Sequence, residues 1–166
     1  MSKLLERPEN MRFVCETLLN EMPIPTGTRF VGSAIGGIQF AHEYGALASA
    51  PIAFTEKVSG SMELVRFSIS AHESVVVVED VLTSGSTTLK TIDACERAGA
   101  KIFPVVLVGI NRSTVRHILG PNHSMYGIMA FAEIEGKEWL PEDCPLCRQG
   151  SVAKKPKAHW NEFFPH

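Results

Sequence analysis

The chain has 166 residues, 45% of them hydrophobic, and a formal net charge of −2. That length and apolar share can fill one complete core, and a near-neutral balance without a basic stripe excludes a nucleic-acid scaffold. MSKLLERPENM carries charges where a secretory leader needs an apolar stretch, and the longest apolar run, 103–110, is too short to span a bilayer, so a cytoplasmic protein with no membrane or nucleic-acid partner is expected.

Helical and strand-like pieces alternate along the chain. Residues 10–21 read as a helix with Met11, Val14 and Leu18 on one stripe, ended by MPIPTG, whose prolines and glycine break regular structure. Residues 28–31 suit a short strand, followed by the glycine-rich turn Gly32-Ser33-Ala34-Ile35-Gly36-Gly37 and a helix over 38–48. Residues 51–55 read as a strand, and 62–69 alternate as a half-exposed strand does. The run VVVV at 75–78 reads as a strand buried on both faces. A helix follows over 88–98, with Gly99 as its stop, then strands over 103–110 and 127–134. Strands separated by helices predict an α/β fold with a mainly parallel central sheet flanked by helices. One domain over 1–166 is expected: a helix and connection in 1–27, a core in 28–134 and an extension in 135–166.

The most informative stretch is VVVVEDVLTSGST, residues 75–87. Glu79 and Asp80 are expected where the strand leaves the sheet, and Thr83-Ser84-Gly85-Ser86-Thr87 turns the chain into a helix. At such a turn, backbone N–H groups and hydroxyls converge on the positive end of a helix, where a phosphate fits. Two adjacent carboxylates make sense if the ligand also offers hydroxyls, as a ribose 5-phosphate does.

This segment resembles the 5-phosphoribosyl 1-pyrophosphate (PRPP) motif of the type I phosphoribosyltransferases. The resemblance implies that Glu79 and Asp80 hold the ribose hydroxyls and that Thr83, Ser84, Gly85, Ser86 and Thr87 hold the 5-phosphate. The turn Ser33, Ala34, Ile35, Gly36, Gly37 is similar to the family's pyrophosphate loop; its glycines also suit tight helix–strand packing. FTEKVSG, 54–60, occupies the place of the family's mobile loop, with Lys57 as a catalytic cation for the pyrophosphate beside Glu79 and Asp80; Lys57 reads equally as a solvated lysine. Glu56, Gly60, Met62, Leu64 and Arg66-Phe67 complete a pattern similar to a short-loop subgroup of the orotate enzymes, and Arg66 shares the cationic role or simply faces outward.

Arg112, in Asn111-Arg112-Ser113 after a strand, is similarly placed to an arginine that pairs with the carboxylate of orotate, since a guanidinium fork suits a carboxylate; it also reads as a surface residue. The family's hood before the pyrophosphate loop is reduced here to a helix and a connection. The resemblance thus implies Mg²⁺-dependent transfer from PRPP to a nucleobase, orotate favoured, by a homodimer, with Mg²⁺ held mainly through PRPP near Glu79 and Asp80. Another acceptor base, or a PRPP-binding regulator without transferase activity, stays open.

Four cysteines complete the reading. Cys15 and Cys95 fall in helical patterns as small hydrophobes. Cys144-Pro145-Leu146-Cys147 is similar to a segment near the end of the same subgroup. Alone it suits a tight turn with free thiols, zinc if two of His123, His159 and His166 join it, or a redox pair away from the usual strand–helix setting. Trp160, Phe163 and Phe164 in the tail are expected to pack on the body or a partner subunit.

Overall fold

A computed structural model describes residues 5–113, 115–137, 139–140 and 142–152. It contains two compact units, Met1–Glu135 and Gly136–His166. The Trp160, Phe163 and Phe164 expectation lies outside the described residues.

In the first unit, α1 (Pro8–Glu21) precedes β1 (Arg29–Ser33), α2 (Gly36–Ala48) and the hairpin β2 (Ile52–Val58) and β3 (Ser61–Glu63). Then come β4 (Ser74–Leu82), α3 (Ser86–Arg97), β5 (Lys101–Ile102), β6 (Val105–Asn111), β7 (His117–Leu119) and β8 (Met125–Glu133). The sheet order is β3-β2-β1-β4-β6-β8-β7, with β5 pairing β4 at its start. Pairings of β1 with β2 and β4, and of β6 with β4 and β8, are parallel, while the outer β3 and β7 run antiparallel.

Strand β4 shows why a Val run marks this fold. Side chains alternate across a strand, so Val75 and Val77 enter the cluster under α3, with Ile92 and Cys95. Val76 and Val78 enter the opposite cluster, with Phe40 and Tyr44 of α2 and Val14 and Leu18 of α1. All four valines are fully buried, each contributing roughly 1.5–3 kcal/mol relative to exposure. Helix α3 ends as expected at Gly99, φ 86°, where the Gly99 N–H donates to the Glu96 carbonyl and the Ala100 N–H to that of Cys95. This is a Schellman closure.

Three expectations need correction. The strand carrying Glu79 and Asp80 does not leave the sheet there: Glu79 still aligns with Val108, and β4 continues to Leu82 opposite Asn111. Residues 54–60 are not an open loop, because β2 runs through Lys57 to Val58, and Ser59 (φ 48°) and Gly60 (φ 87°) turn the chain directly into β3. Positive φ at both central residues fits the twist of a two-residue hairpin. The strand expected over 62–69 therefore ends at Glu63, and Phe67 instead packs edge-on against Phe54, ring centroids 4.8 Å apart.

In the second unit, Cys144 caps the one-turn helix α4 (Pro145–Arg148). Gly150, at φ 81°, closes it: its N–H donates to the Cys147 carbonyl at 3.0 Å and that of Ser151 to the Leu146 carbonyl at 3.0 Å. Among the described helices none is long and apolar enough to cross a membrane.

Candidate active site

The alternation that buries the valines also aims the two carboxylates. Glu79 continues the row of Val75 and Val77 toward α3, where its Oε2 accepts from the Thr88 hydroxyl at 3.2 Å. Asp80 continues the row of Val76 and Val78 toward α2, and a Cβ added to Gly36 would overlap its carboxyl. Adjacent acids on one strand thus stand at the first turns of two different helices.

Neither helix start is capped by its own N-cap residue, Ile35 for α2 and Gly85 (φ 73°) for α3, although the Ser86 N–H donates to the Ser84 hydroxyl oxygen at 3.4 Å. Uncapped first-turn N–H groups and the positive ends of two helices therefore face the same space. That space is a cavity of about 210 Å³ lined by Ala34, Ile35, Gly36 and residues 79–88. The glycine-rich turn and the acidic strand with its hydroxyl loop, distant in sequence, are brought together at this cavity.

Glu79 is only 6% exposed. Burial pushes its carboxyl up to about 7, and the neighbouring Asp80 charge adds to the rise. An ionised acid there gains most from a ligand that donates hydrogen bonds to it.

Other predicted residues are placed differently. Ser33 and Gly37 do not line the cavity. The Ser33 hydroxyl, buried, lies 3.1 Å from that of Thr91 on α3, and Thr91 in turn lies 2.8 Å from the Thr55 hydroxyl. Gly32 and Gly37 allow β1 and α2 to approach, since a Cβ on Gly32 would overlap the Gly37 carbonyl. Lys57 is exposed on β2, opposite Met62 and away from the cavity lining. Its hairpin is tied to α3, with Lys90 Nζ donating to the Gly60 carbonyl at 2.6 Å and Arg97 3.1 Å from Glu63. Arg66 is engaged with Glu56 at 2.6 Å. Arg112 is exposed, and its backbone N–H donates to the carbonyl of Leu82, a lining residue, at 2.7 Å. Asn111 Oδ1 accepts from the Ser113 N–H at 3.0 Å, shaping the turn that carries Arg112.

Sequence reasoning missed Thr88 and Thr91. Their signal was present: hydroxyls at 88 and 91 fall on the same helical stripe as the buried Ile92 and Cys95.

As a metal site, Glu79 and Asp80 offer hard oxygen donors, and among the described residues no group of three or more potential ligands occurs. Two adjacent carboxylates are a donor set that Mg²⁺ uses together with substrate oxygens. Among the described residues no third ligand accompanies Cys144 and Cys147, and His159 and His166 lie outside them.

No protein-family model matches the chain. Individual relatives do. Orotate phosphoribosyltransferase of Desulforamulus reducens is 30% identical over 156 residues, which are 93% of this chain and 78% of that one. The chain belongs to the orotate phosphoribosyltransferase family. Orotate phosphoribosyltransferase of Heliobacterium modesticaldum is 36% identical over 129 residues, 76% of this chain and 63% of the relative's length. Among solved structures, orotate phosphoribosyltransferase from Aeropyrum pernix superposes with a TM-score of 0.66 at 21% identity, covering 81% of this chain and 77% of that one. Adenine phosphoribosyltransferase from Rhodothermus marinus gives 0.61 at 19% identity, covering 79% and 83%. The fold is that of the type I phosphoribosyltransferases, as the sequence resemblance implied.

Proposed function

We propose that this chain transfers the 5-phosphoribosyl group of PRPP to orotate, giving orotidine 5′-monophosphate and pyrophosphate. The observation that carries the reading is the convergence of two helix starts and two carboxylates on one cavity. A ligand with anionic groups at both ends and hydroxyls between them matches that pattern, and a phosphorylated ribose with a pyrophosphate is such a ligand. The acceptor follows the family: the curated relatives are named for orotate.

In this reading the 5-phosphate accepts from the first-turn N–H groups of α3 and the hydroxyls of Thr83, Ser84, Ser86 and Thr87, with Gly85 providing the tight turn. Glu79 and Asp80 accept from the ribose hydroxyls, fixing the ring over the end of β4. The pyrophosphate lies against the backbone of 33–37 at the start of α2. A Mg²⁺ bound with PRPP near Glu79 and Asp80 would supply neutralising charge for the leaving pyrophosphate. For Lys57 to add positive charge where negative charge grows on the pyrophosphate, the β2–β3 hairpin would have to leave its contacts with Lys90 and Arg97 of α3. A nitrogen of the base attacks the anomeric carbon as the bond to the pyrophosphate oxygen breaks, and an ionised carboxylate nearby stabilises the developing positive charge. Arg112, one strand over from the cavity, pairs with the carboxylate of the base. The working form is taken to be a cytoplasmic homodimer, as usual for the fold family.

The test is pyrophosphate release from Mg²⁺-PRPP with orotate, beside a panel of other bases and a blank without base. Release with orotate, weakened in Arg112→Ala through a higher KM for orotate, is the expected result. Release with another base alone would discard orotate, and PRPP binding without release from any base would make the chain a regulator.

A further inference from the structure

The segment Cys144-Pro145-Leu146-Cys147 lies in the unit beginning at Gly136, and the transfer chemistry makes no use of it. We propose that Cys144 and Cys147 are a redox-active dithiol that exchanges with small disulfides of the glutathione class and closes into an intramolecular disulfide.

The geometry is prepared for closure. Cys144 is the N-cap of α4, and its Sγ accepts the Cys147 N–H at 3.4 Å. A disulfide needs Cβ atoms about 3.5–4.5 Å apart, closer than the about 5–6 Å of residues three apart on a regular helix, and the extended backbone of Cys144 (φ −67°, ψ 113°) lets its side chain fold back over the turn toward Cys147. Closure then takes rotation of the two side chains together with a small tightening of the turn.

The turn itself is fixed at both ends. Pro145 presets the first helical residue, and the Gly150 and Ser151 N–H groups close the other end on the Cys147 and Leu146 carbonyls. The turn is thus ordered before the bond forms. A structural turn that merely needed an N-cap would be served by Ser, Asp or Asn.

Access separates this pair from the other two cysteines. Cys147 is exposed and Cys144 half-buried, whereas Cys15 and Cys95 are buried in the core of the first unit. The N–H donated to Cys144 Sγ favours its thiolate, the nucleophilic form. The exchange balances as follows. The Cys144 thiolate attacks one sulfur of the small disulfide and expels the other as a thiolate, leaving a mixed disulfide. The Cys147 thiolate then attacks Cys144 Sγ and expels the second small thiolate. Two protein thiols are oxidised, one small disulfide is reduced to two thiols, and the protons lost by the cysteines pass through solvent to the leaving thiolates.

The experiment incubates the full chain with oxidised glutathione, quenches with acid, unfolds the protein, alkylates it and maps the peptides by mass spectrometry. The expected result is a Cys144–Cys147 disulfide, with alkylatable thiols falling from four to two and Cys15 and Cys95 still alkylated. In Cys147→Ser, which removes the resolving thiol, a single glutathionyl group should accumulate on Cys144. Mapping the unmodified chain needs no variant, so a variant that misfolds leaves the test intact. A pair that stays fully reduced while Cys15 or Cys95 reacts would overturn the proposal. So would stoichiometric binding of Zn²⁺, added alone, that withdraws both thiols from alkylation, since that outcome describes a structural metal site. The readout is thiol chemistry and is independent of PRPP.

Discussion

Replacing Gly36 by Ala probes the site through a contact that only this fold creates. The added Cβ would overlap the Asp80 carboxyl at the start of α2. The backbone on either side is held in α2 and β4, whereas the half-exposed Asp80 side chain can rotate away. The displaced carboxylate then loses its hydrogen bond to a ribose hydroxyl, a charge-assisted bond worth about 1.5–3 kcal/mol. That corresponds to a rise of roughly 10- to 100-fold in KM for PRPP. The fold should lose little, because Ala favours a helix over Gly by about 0.5–1 kcal/mol. Steady-state pyrophosphate release against PRPP concentration gives KM, and thermal unfolding checks the fold. In an Asp80→Ala background the same Cβ meets vacated space, so the two penalties should not add. An unchanged KM in Gly36→Ala, or a full second penalty in the double variant, would refute the reasoning.

Glu79 and Thr91 give two further tests. The folded value for Glu79, about 7, lies above its ordinary 4.5, so the stability carried by its proton is complete below the lower value and is lost as pH rises through the upper one. Unliganded Glu79→Gln should therefore be more stable than the parent above pH 7 by on the order of 3 kcal/mol, with the gap closing under acid; urea unfolding across pH would show it, and parallel pH profiles would contradict it. Thr91→Val keeps the shape but strips the Ser33 and Thr55 hydroxyls of their shared partner. A loss of about 1–3 kcal/mol is expected, largely restored in Thr91→Ser, and a Val variant as stable as the parent would show that the hydroxyl chain is unimportant.

Much of this arrangement could be read from the residues because burial on both faces leaves a simple mark. The run Val75 to Val78 signals a central parallel strand, and the carboxylates, hydroxyls and glycine after it signal what sits at its end. Less legible was where strands stop. Polarity at Glu79 and Asp80 suggested an exit from the sheet, but pairing with β6 carries β4 two residues further. Ser59-Gly60 was a two-residue turn signal, hidden because Glu56 and Lys57 look like loop residues; they sit in an outer hairpin where Lys57 meets solvent and Glu56 pairs with Arg66. The glycine-rich turn divides in a way spacing cannot reveal, with Gly36 leaving room for Asp80 while Gly32 and Gly37 let β1 and α2 approach. The hydroxyl chain from Ser33 through Thr91 to Thr55 joins three separate elements, so only the folded register brings it together.

The most direct measurement is a crystal structure of the chain with Mg²⁺ and PRPP bound. The account predicts the 5-phosphate within hydrogen-bonding distance of the loop Thr83 to Thr87, the ribose hydroxyls on Glu79 and Asp80, and the pyrophosphate against the start of α2. PRPP bound elsewhere, or in this cavity with its sugar turned away from both carboxylates, would contradict it.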